Sequence, residues 1–369
     1  GRLGKRTDFA DYPIDLGAQW LHGRNSILGD LIDETGTKVK LDESNAAFWF
    51  NNQIMTTLPK DLESLVAPNE DASDISFWEY AQQQGLGNEY RYLVEQLAGD
   101  FGADASEISI KWTAVEEEDW NSGDDDFKFE ATFFDLIDQH ITEKVRDSIV
   151  LNTIVSKIDY GNDIIQITDS MGNDHLADKV IVTVPITVLQ DGDIDFVPPL
   201  PAAKVDAFNK IGMGAGMKVF MKFSSKFYDG NIGGGEICAA YADESEGKVG
   251  SDHVLLAFVM GKQAEYLTSL GSDAAITSAL LGELDNMYGG QASAAFIDAH
   301  VENWTTNPFV RGAYSFSKIG IGNARHTAAE AVEGKLFFAG EAMNTNGHHQ
   351  TVHGAIETGY REVINLLKS

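Results

Sequence analysis

Lys179-Val180-Ile181-Val182-Thr183-Val184-Pro185 is a β-branched run closed by a proline. From Val180 onward it lacks the polar alternation of a half-exposed strand. It therefore reads as a strand covered on both faces, whose C-terminal end opens onto a ligand. Working outward, Leu336-Phe337-Phe338-Ala339-Gly340 predicts a second short buried strand, and Val352 to Leu367 a closing helix with Thr351 as its N-cap. Ile149–Ile154, Lys157–Tyr160 and Ile164–Asp169 predict a meander, turned at Ser170-Met171-Gly172-Asn173. Lys218–Phe223, Glu236–Tyr241 and His253–Phe258 predict a second sheet, followed by helices near Gln263–Leu270 and Asp273–Met287. Toward the start, Tyr12–Leu16 is extended and Ser26–Glu34 is a helix stopped by Gly36. Lys38–Leu41 and Ala46–Phe50 are short strands. Leu58–Ala114 is mainly helical, with Ser76-Phe77-Trp78-Glu79 spelling a capping box. Strands and helices alternate without one βαβ order, which predicts a mixed α/β chain with two interleaved domains.

Composition bounds the function. With 57 acidic against 27 basic residues the net charge is -30, so the surface repels nucleic acid and anionic membranes and attracts cations. The same charge also serves solubility. No apolar run reaches the length of a membrane span. Cys238 is the only cysteine, which excludes internal disulfides and cysteine-held metal clusters, and no metal site is expected. A lone cysteine suits a reducing compartment, with the cytoplasm favoured. The block Glu116-Glu117-Glu118-Asp119 through Asp124-Asp125-Asp126 reads as a solvated loop.

Four separated segments resemble the flavin-containing amine oxidases, the family of monoamine oxidase, polyamine and spermine oxidases and lysine-specific histone demethylase. The first is Gly1-Arg2-Leu3 with Asp15-Leu16-Gly17-Ala18-Gln19-Trp20-Leu21-His22-Gly23. The second is Val180–Leu189 with Phe196-Val197-Pro198-Pro199-Leu200-Pro201, preceded by Asn152-Thr153-Ile154-Val155. The third is Lys218 after Gly212-Met213-Gly214-Ala215-Gly216-Met217. The fourth joins Trp304 and Asn307–Ser315 to Phe338-Ala339-Gly340-Glu341 and Thr351-Val352-His353-Gly354-Ala355. The match is weakest between about Asp42 and Arg146.

The resemblance implies an FAD/NAD(P)-binding α/β domain of the glutathione-reductase type over 1–41, 147–205 and 305–369. An α+β substrate domain on a mixed sheet would take 42–146 and 206–304. It implies noncovalent FAD, because Ala313 stands where monoamine oxidase has its flavin-bonding cysteine. Arg2 would meet the diphosphate, a task suited to a guanidinium fork. Gly17, Ala18, Gln19 and Trp20 would line the ring, Val155 the adenine, and Trp304, Gly340, Glu341, Thr351 and Val352 the rest of the cofactor. Lys218 would stand at flavin N5 and Tyr314 above it. The helix opening at Val352 favours negative charge at its N-terminus. His22 is a candidate at the substrate entrance, with Tyr314 and Thr351 as substrate neighbours.

The activity implied is oxidation of an amine, with a polyamine favoured, by hydride transfer to flavin N5, imine hydrolysis and hydrogen peroxide release. The partners are then a small amine and O2, with no nucleic acid or membrane, and homo-oligomerisation left open. Two alternatives stand beside it: an L-amino-acid oxidase, and a flavin-free scaffold protein derived from an oxidase. The second arises because the family opens with a strand, G-x-G-x-x-G and a helix, whereas these residues start inside the turn that follows. The parallel sheet is accordingly expected to lack a central strand and to expose the apolar faces of its neighbours.

Overall fold

The computed structural model describes residues 1–369. Its largest sheet has seven strands, in the order Phe296–Asn303, Gly216–Phe223, His253–Met260, Ala240–Asp243, Asn231–Gly233, Ala46–Phe50 and Gln53–Met55. All neighbours are antiparallel except Asn231–Gly233 against Ala46–Phe50. The period of two sorts the central strand. Met217, Val219, Met221 and Phe223 join the core beneath the helices Gly261–Ser269 and Asp273–Tyr288. Lys218, Phe220 and Lys222 face the other way, where Phe9, Tyr12 and Ile14 of the N-terminal hairpin pack on Phe220, Val254 and Leu256. Both faces are thus covered, and the two lysines on the second face are buried or half-buried with the apolar residues.

A second region holds the opening motif. Val180–Val182 pairs in parallel with Leu336–Phe338, and a four-stranded sheet of Asp174–Ala177, Ile165–Asp169, Val155–Asp159 and Asp195–Val197 lies in the same apolar core. The expected exposure is partial at Val180–Val182, where Val180 and Ile181 are half-buried, and absent on the Leu336–Phe338 strand, where all three residues are buried. The closing helix Val352–Lys368 satisfies its edge instead. Thr358 Oγ1 accepts from Gly340 N at 2.8 Å and Arg361 Nη2 donates to Phe338 O at 3.2 Å. Exposed apolar side chains lie elsewhere, on Val150 and Leu151 and on the outer face of that helix at Tyr360, Val363, Ile364 and Leu367.

Lys204 is a buried lysine with a structural task. It donates to Thr327 O at 3.3 Å, Ala328 O at 2.7 Å and Glu330 O at the end of the Ala324–Ala329 helix, and its Nζ lies 3.9 Å from the centre of the Phe338 ring. Burial lowers its pKa to about 8. Lys204→Met leaves these carbonyls bare, at roughly 1–3 kcal/mol for each buried acceptor. A urea titration at pH 7 should show a lowered midpoint with an unchanged slope; an unmoved midpoint would refute the assignment.

Caps fall where the sequence puts them. Ser26 caps Ile27–Thr35 and Gly36 ends it in the left-handed region, Ser76 accepts from Glu79 N, and Thr351 accepts from Gly354 N. Three expectations are corrected. Ile149–Ile154 is irregular rather than a strand. Glu236–Ala239 is a loop whose amides are held by Glu283 and Gln263, so the strand begins at Ala240. The acidic block is not a free loop. Glu116 and Glu117 end the Ile110–Glu117 helix, Ser122 is fully buried, and Asp126 opens a strand against Trp20–His22. No helix is long and apolar enough to cross a membrane.

Candidate active site

The site is assembled around the segment Asp15–Trp20. Asp15 turns its carboxylate onto the N-terminus of the Phe133–Ile137 helix, accepting from Phe133 N at 3.0 Å. Its carbonyl and that of Gly17 accept from Lys218 Nζ at 2.8 and 2.9 Å, and Gln19 Oε1 takes the third lysine proton. Lys218 is 4% exposed, and burial pushes its pKa down, while burial pushes Asp15 up. Trp304 Nε1 donates to Leu16 O at 2.8 Å. Gly17 has to be glycine, since a Cβ there would lie 2.0 Å from Arg2 O. Trp20 stands edge-on to Phe258, with ring centres 5.8 Å apart, and Lys218 Nζ lies 5.8 Å from its ring.

Arg2 carries the connection onward. Its Nη1 donates to Glu341 Oε1 at 2.9 Å and to Ala313 O at 2.8 Å. Nε and Nη2 make no hydrogen bond. Glu341 also accepts from Ser315 N, Ser315 Oγ and Gln350 N. Burial pushes its carboxyl up, but Arg2 and the Ser315 hydroxyl more than offset this and hold it below the ordinary range. Thr351 caps the closing helix by taking the Gly354 amide, so the amides of Val352 and His353 are left without partners inside the chain. Gly340, at φ +134°, has nothing within 4 Å of an added Cβ. One continuous set of contacts therefore runs from Lys218 through Gly17, Arg2 and Glu341 to the start of the closing helix. Val155 stands apart, while His22 lies outside these contacts but near enough to Asp100 to act on its charge. Val155 is paired with Asp169 in the four-stranded sheet, and His22 is half-buried and bonded to Asp126 at 2.7 Å.

Tyr314 packs against the end of the Arg91–Asp100 helix, donating to Gly99 O at 2.8 Å. That end carries a residue the sequence reading passed over. Asp100 is exposed there, and its carbonyl lies 3.4 Å from the Tyr314 hydroxyl. Desolvation raises it to about 7, against a partial offset from His22. A signal was present: an acid in the last turn opposes the helix dipole. Glu116, by contrast, points inward to Arg325 at 2.9 Å and to the Ser317 hydroxyl, so it is not available to a substrate. A surface hollow of 1060 Å³ lies beside Lys226, Tyr228 and Tyr288 and includes none of these residues.

The arrangement offers what a planar anionic cofactor needs: free amides at a helix N-terminus, open space at Gly340, and two uncommitted guanidinium nitrogens. It offers no thiol for a covalent bond, because Cys238 is fully buried in the core of the large sheet.

The family model for flavin containing amine oxidoreductases matches residues 66–367. Mouse lysine-specific histone demethylase 1B is 34% identical over 243 residues, which is 61% of this chain and 29% of that protein. An Arabidopsis thaliana protein, lysine-specific histone demethylase 1 homolog 3, is 32% identical over 240 residues, 59% of this chain and 14% of that protein. The chain thus spans less than a third of the length of these relatives. Putrescine oxidase bound to putrescine superposes with a TM-score of 0.81 at 18% identity, covering 100% of this chain and 91% of that one. Cyclohexylamine oxidase from Brevibacterium oxydans IH-35A gives 0.80 at 18%, with the same coverage. The fold is that of these oxidases, an α/β FAD-binding fold with mixed sheets, and the chain belongs to the flavin-containing amine oxidoreductase family.

Proposed function

We propose that this chain oxidises a cationic amine, of the polyamine class, with noncovalently bound FAD. The single observation that carries the reading is Asp100, an exposed acid at the end of the helix on which Tyr314 packs, its carbonyl 3.4 Å from the Tyr314 hydroxyl. It suits a second ammonium group on a substrate whose reacting nitrogen lies against Tyr314, Trp20 and Phe258. Those aromatic surroundings disfavour charge, so the reacting nitrogen gives up its proton there. Arg2, Glu341 and the Val352 amide would hold the flavin, and Lys218 would fix the Asp15–Gln19 backbone along the ring. When bound, the flavin supplies the two-electron acceptor for the amine's α C–H and passes the electrons to O2, leaving an imine for water to hydrolyse. The two interleaved regions with the boundaries given above belong to the same reading.

An amino-acid oxidase needs a free cation for the substrate carboxylate. Lys218 is fully engaged, Arg325 is buried and held by Glu116, Ser315 and Ala342 O with only Nη2 left over, and Arg2 is engaged on one side. The amine is favoured for that reason. The test is direct. Purified protein should be yellow, and acid precipitation should leave the flavin in the supernatant. Peroxide should form with spermine or putrescine and not with leucine. Oxidation of a methylated-lysine peptide but not of spermine would move the substrate class, and a colourless protein that takes up no added FAD would refute the enzyme.

A further inference from the structure

Gln350 stands one position before the cap of the closing helix with φ +70°. The left-handed region is unfavourable for a residue with a side chain, and residues held there gather at functional sites. Three hydrogen bonds hold this one. Its amide donates to Glu341 Oε2 at 3.0 Å, and its carboxamide Nε2 donates to Phe101 O at 2.7 Å and Ser315 O at 2.8 Å. Both side-chain protons are therefore used. The three acceptors belong to segments far apart in sequence: the end of the Arg91–Asp100 helix, the start of the Ser315–Ser317 strand, and the carboxylate that holds Arg2. Packing tightens the same junction. Gly102 lies against Tyr314, so that a Cβ there would be 2.7 Å from the ring and 3.5 Å from Gln350 Nε2.

We infer that Gln350 is a positioning residue that sets which amines the site accepts. By bracketing Phe101 to Ser315 it holds Asp100 at a fixed reach from Tyr314 and from the start of the closing helix. The site then measures the distance between two nitrogens of one substrate. This rests on the reading of Asp100 as the subsite for the second ammonium. A bracket of this kind acts on the bound geometry of the distal group rather than on the reacting bond. Its loss is felt by diamines and not by monoamines.

The holoenzyme carrying Gln350→Gly tests it. Glycine keeps the left-handed backbone at no steric cost and removes both donors. kcat/KM is compared for a linear diamine and for the alkyl monoamine of the same carbon number, and amide hydrogen exchange is followed over residues 99–103. The diamine-to-monoamine ratio should fall about tenfold, carried by KM, as expected for the loss of two neutral hydrogen bonds. Exchange at 101–102 should quicken. Gln350→Asn, which tolerates the same backbone but is too short to span both carbonyls, should shift the ratio in the same direction. If both amines slow by the same factor, Gln350 is only structural and the inference falls. An Asp100→Asn arm separates the two levels. Should it lower the ratio while Gln350→Gly does not, only the bracket is refuted. Should it leave the ratio unchanged, the reading of Asp100 fails and the bracket fails with it.

Discussion

Lys218→Met should lower the maximal rate of amine oxidation by about 10²-fold, the cost of displacing site backbone by on the order of 1 Å. The ammonium is fully committed, to Asp15 O, Gly17 O and Gln19 Oε1, so it fixes the backbone that carries Ala18 and Trp20 rather than waiting for a ligand. Methionine fills the space and supplies no proton. Two backbone carbonyls are then left bare in a dry interior, at roughly 1–3 kcal/mol each. A typical domain has about 5–15 kcal/mol in reserve, so the variant should still fold. The rate loss must therefore be separated from the stability loss. Lys204→Met provides the control, because it bares buried carbonyls in another core and touches nothing in the site. Stopped-flow absorbance on both variants, anaerobic and then aerobic, reads flavin reduction and reoxidation apart. Wild-type rates in folded Lys218→Met protein would remove this lysine from the chemistry. Equal slowing in both variants would assign its effect to stability alone.

The parts of the fold legible in sequence are those set by local rules. Ser26 and Gly36 bound a helix because one accepts an amide and the other adopts φ +68°. Val180–Val182 and Leu336–Phe338 were readable because an unbroken apolar run replaces alternation in strands paired in parallel. The strand Phe296–Asn303 was not read: it is an edge strand of mostly half-buried residues, without a clean pattern. In the site, Arg2, Gly17, Trp304, Lys218 and Glu341 were named from motif resemblance, and contacts in the fold bring them together. Asp100 and Gln350 escaped because their significance lies in contacts between segments more than 200 residues apart. Glu116 misled for the converse reason. A run of four acids looks solvated, yet Arg325, 209 residues away, draws its first member inside.

Asp100→Asn should lower kcat/KM for a diamine about a hundredfold and leave a monoamine of equal length nearly unaffected. A hydrogen bond to a charged partner contributes about 1.5–3 kcal/mol, and roughly 2.7 kcal/mol corresponds to a factor of 100. Asparagine keeps the size and the polarity, so the change isolates the charge. The pH profile supplies a second and independent signature. Desolvation raises the Asp100 carboxyl to about 7, with Asp126 and Glu63 adding to the rise and His22 opposing it. Below that pH the group is protonated and neutral; above it, anionic. Attraction for an ammonium should accordingly strengthen as pH climbs from 6 to 8, with KM for the diamine falling about tenfold as the charged fraction grows. The substrate's own amines titrate as well, but identically with either protein, so the ratio of variant to wild-type KM cancels them. That ratio should be small at pH 6 and large at pH 8. A ratio that is flat across the range, or a diamine KM that survives the substitution at pH 8, would show that the distal nitrogen is held by something other than this carboxylate.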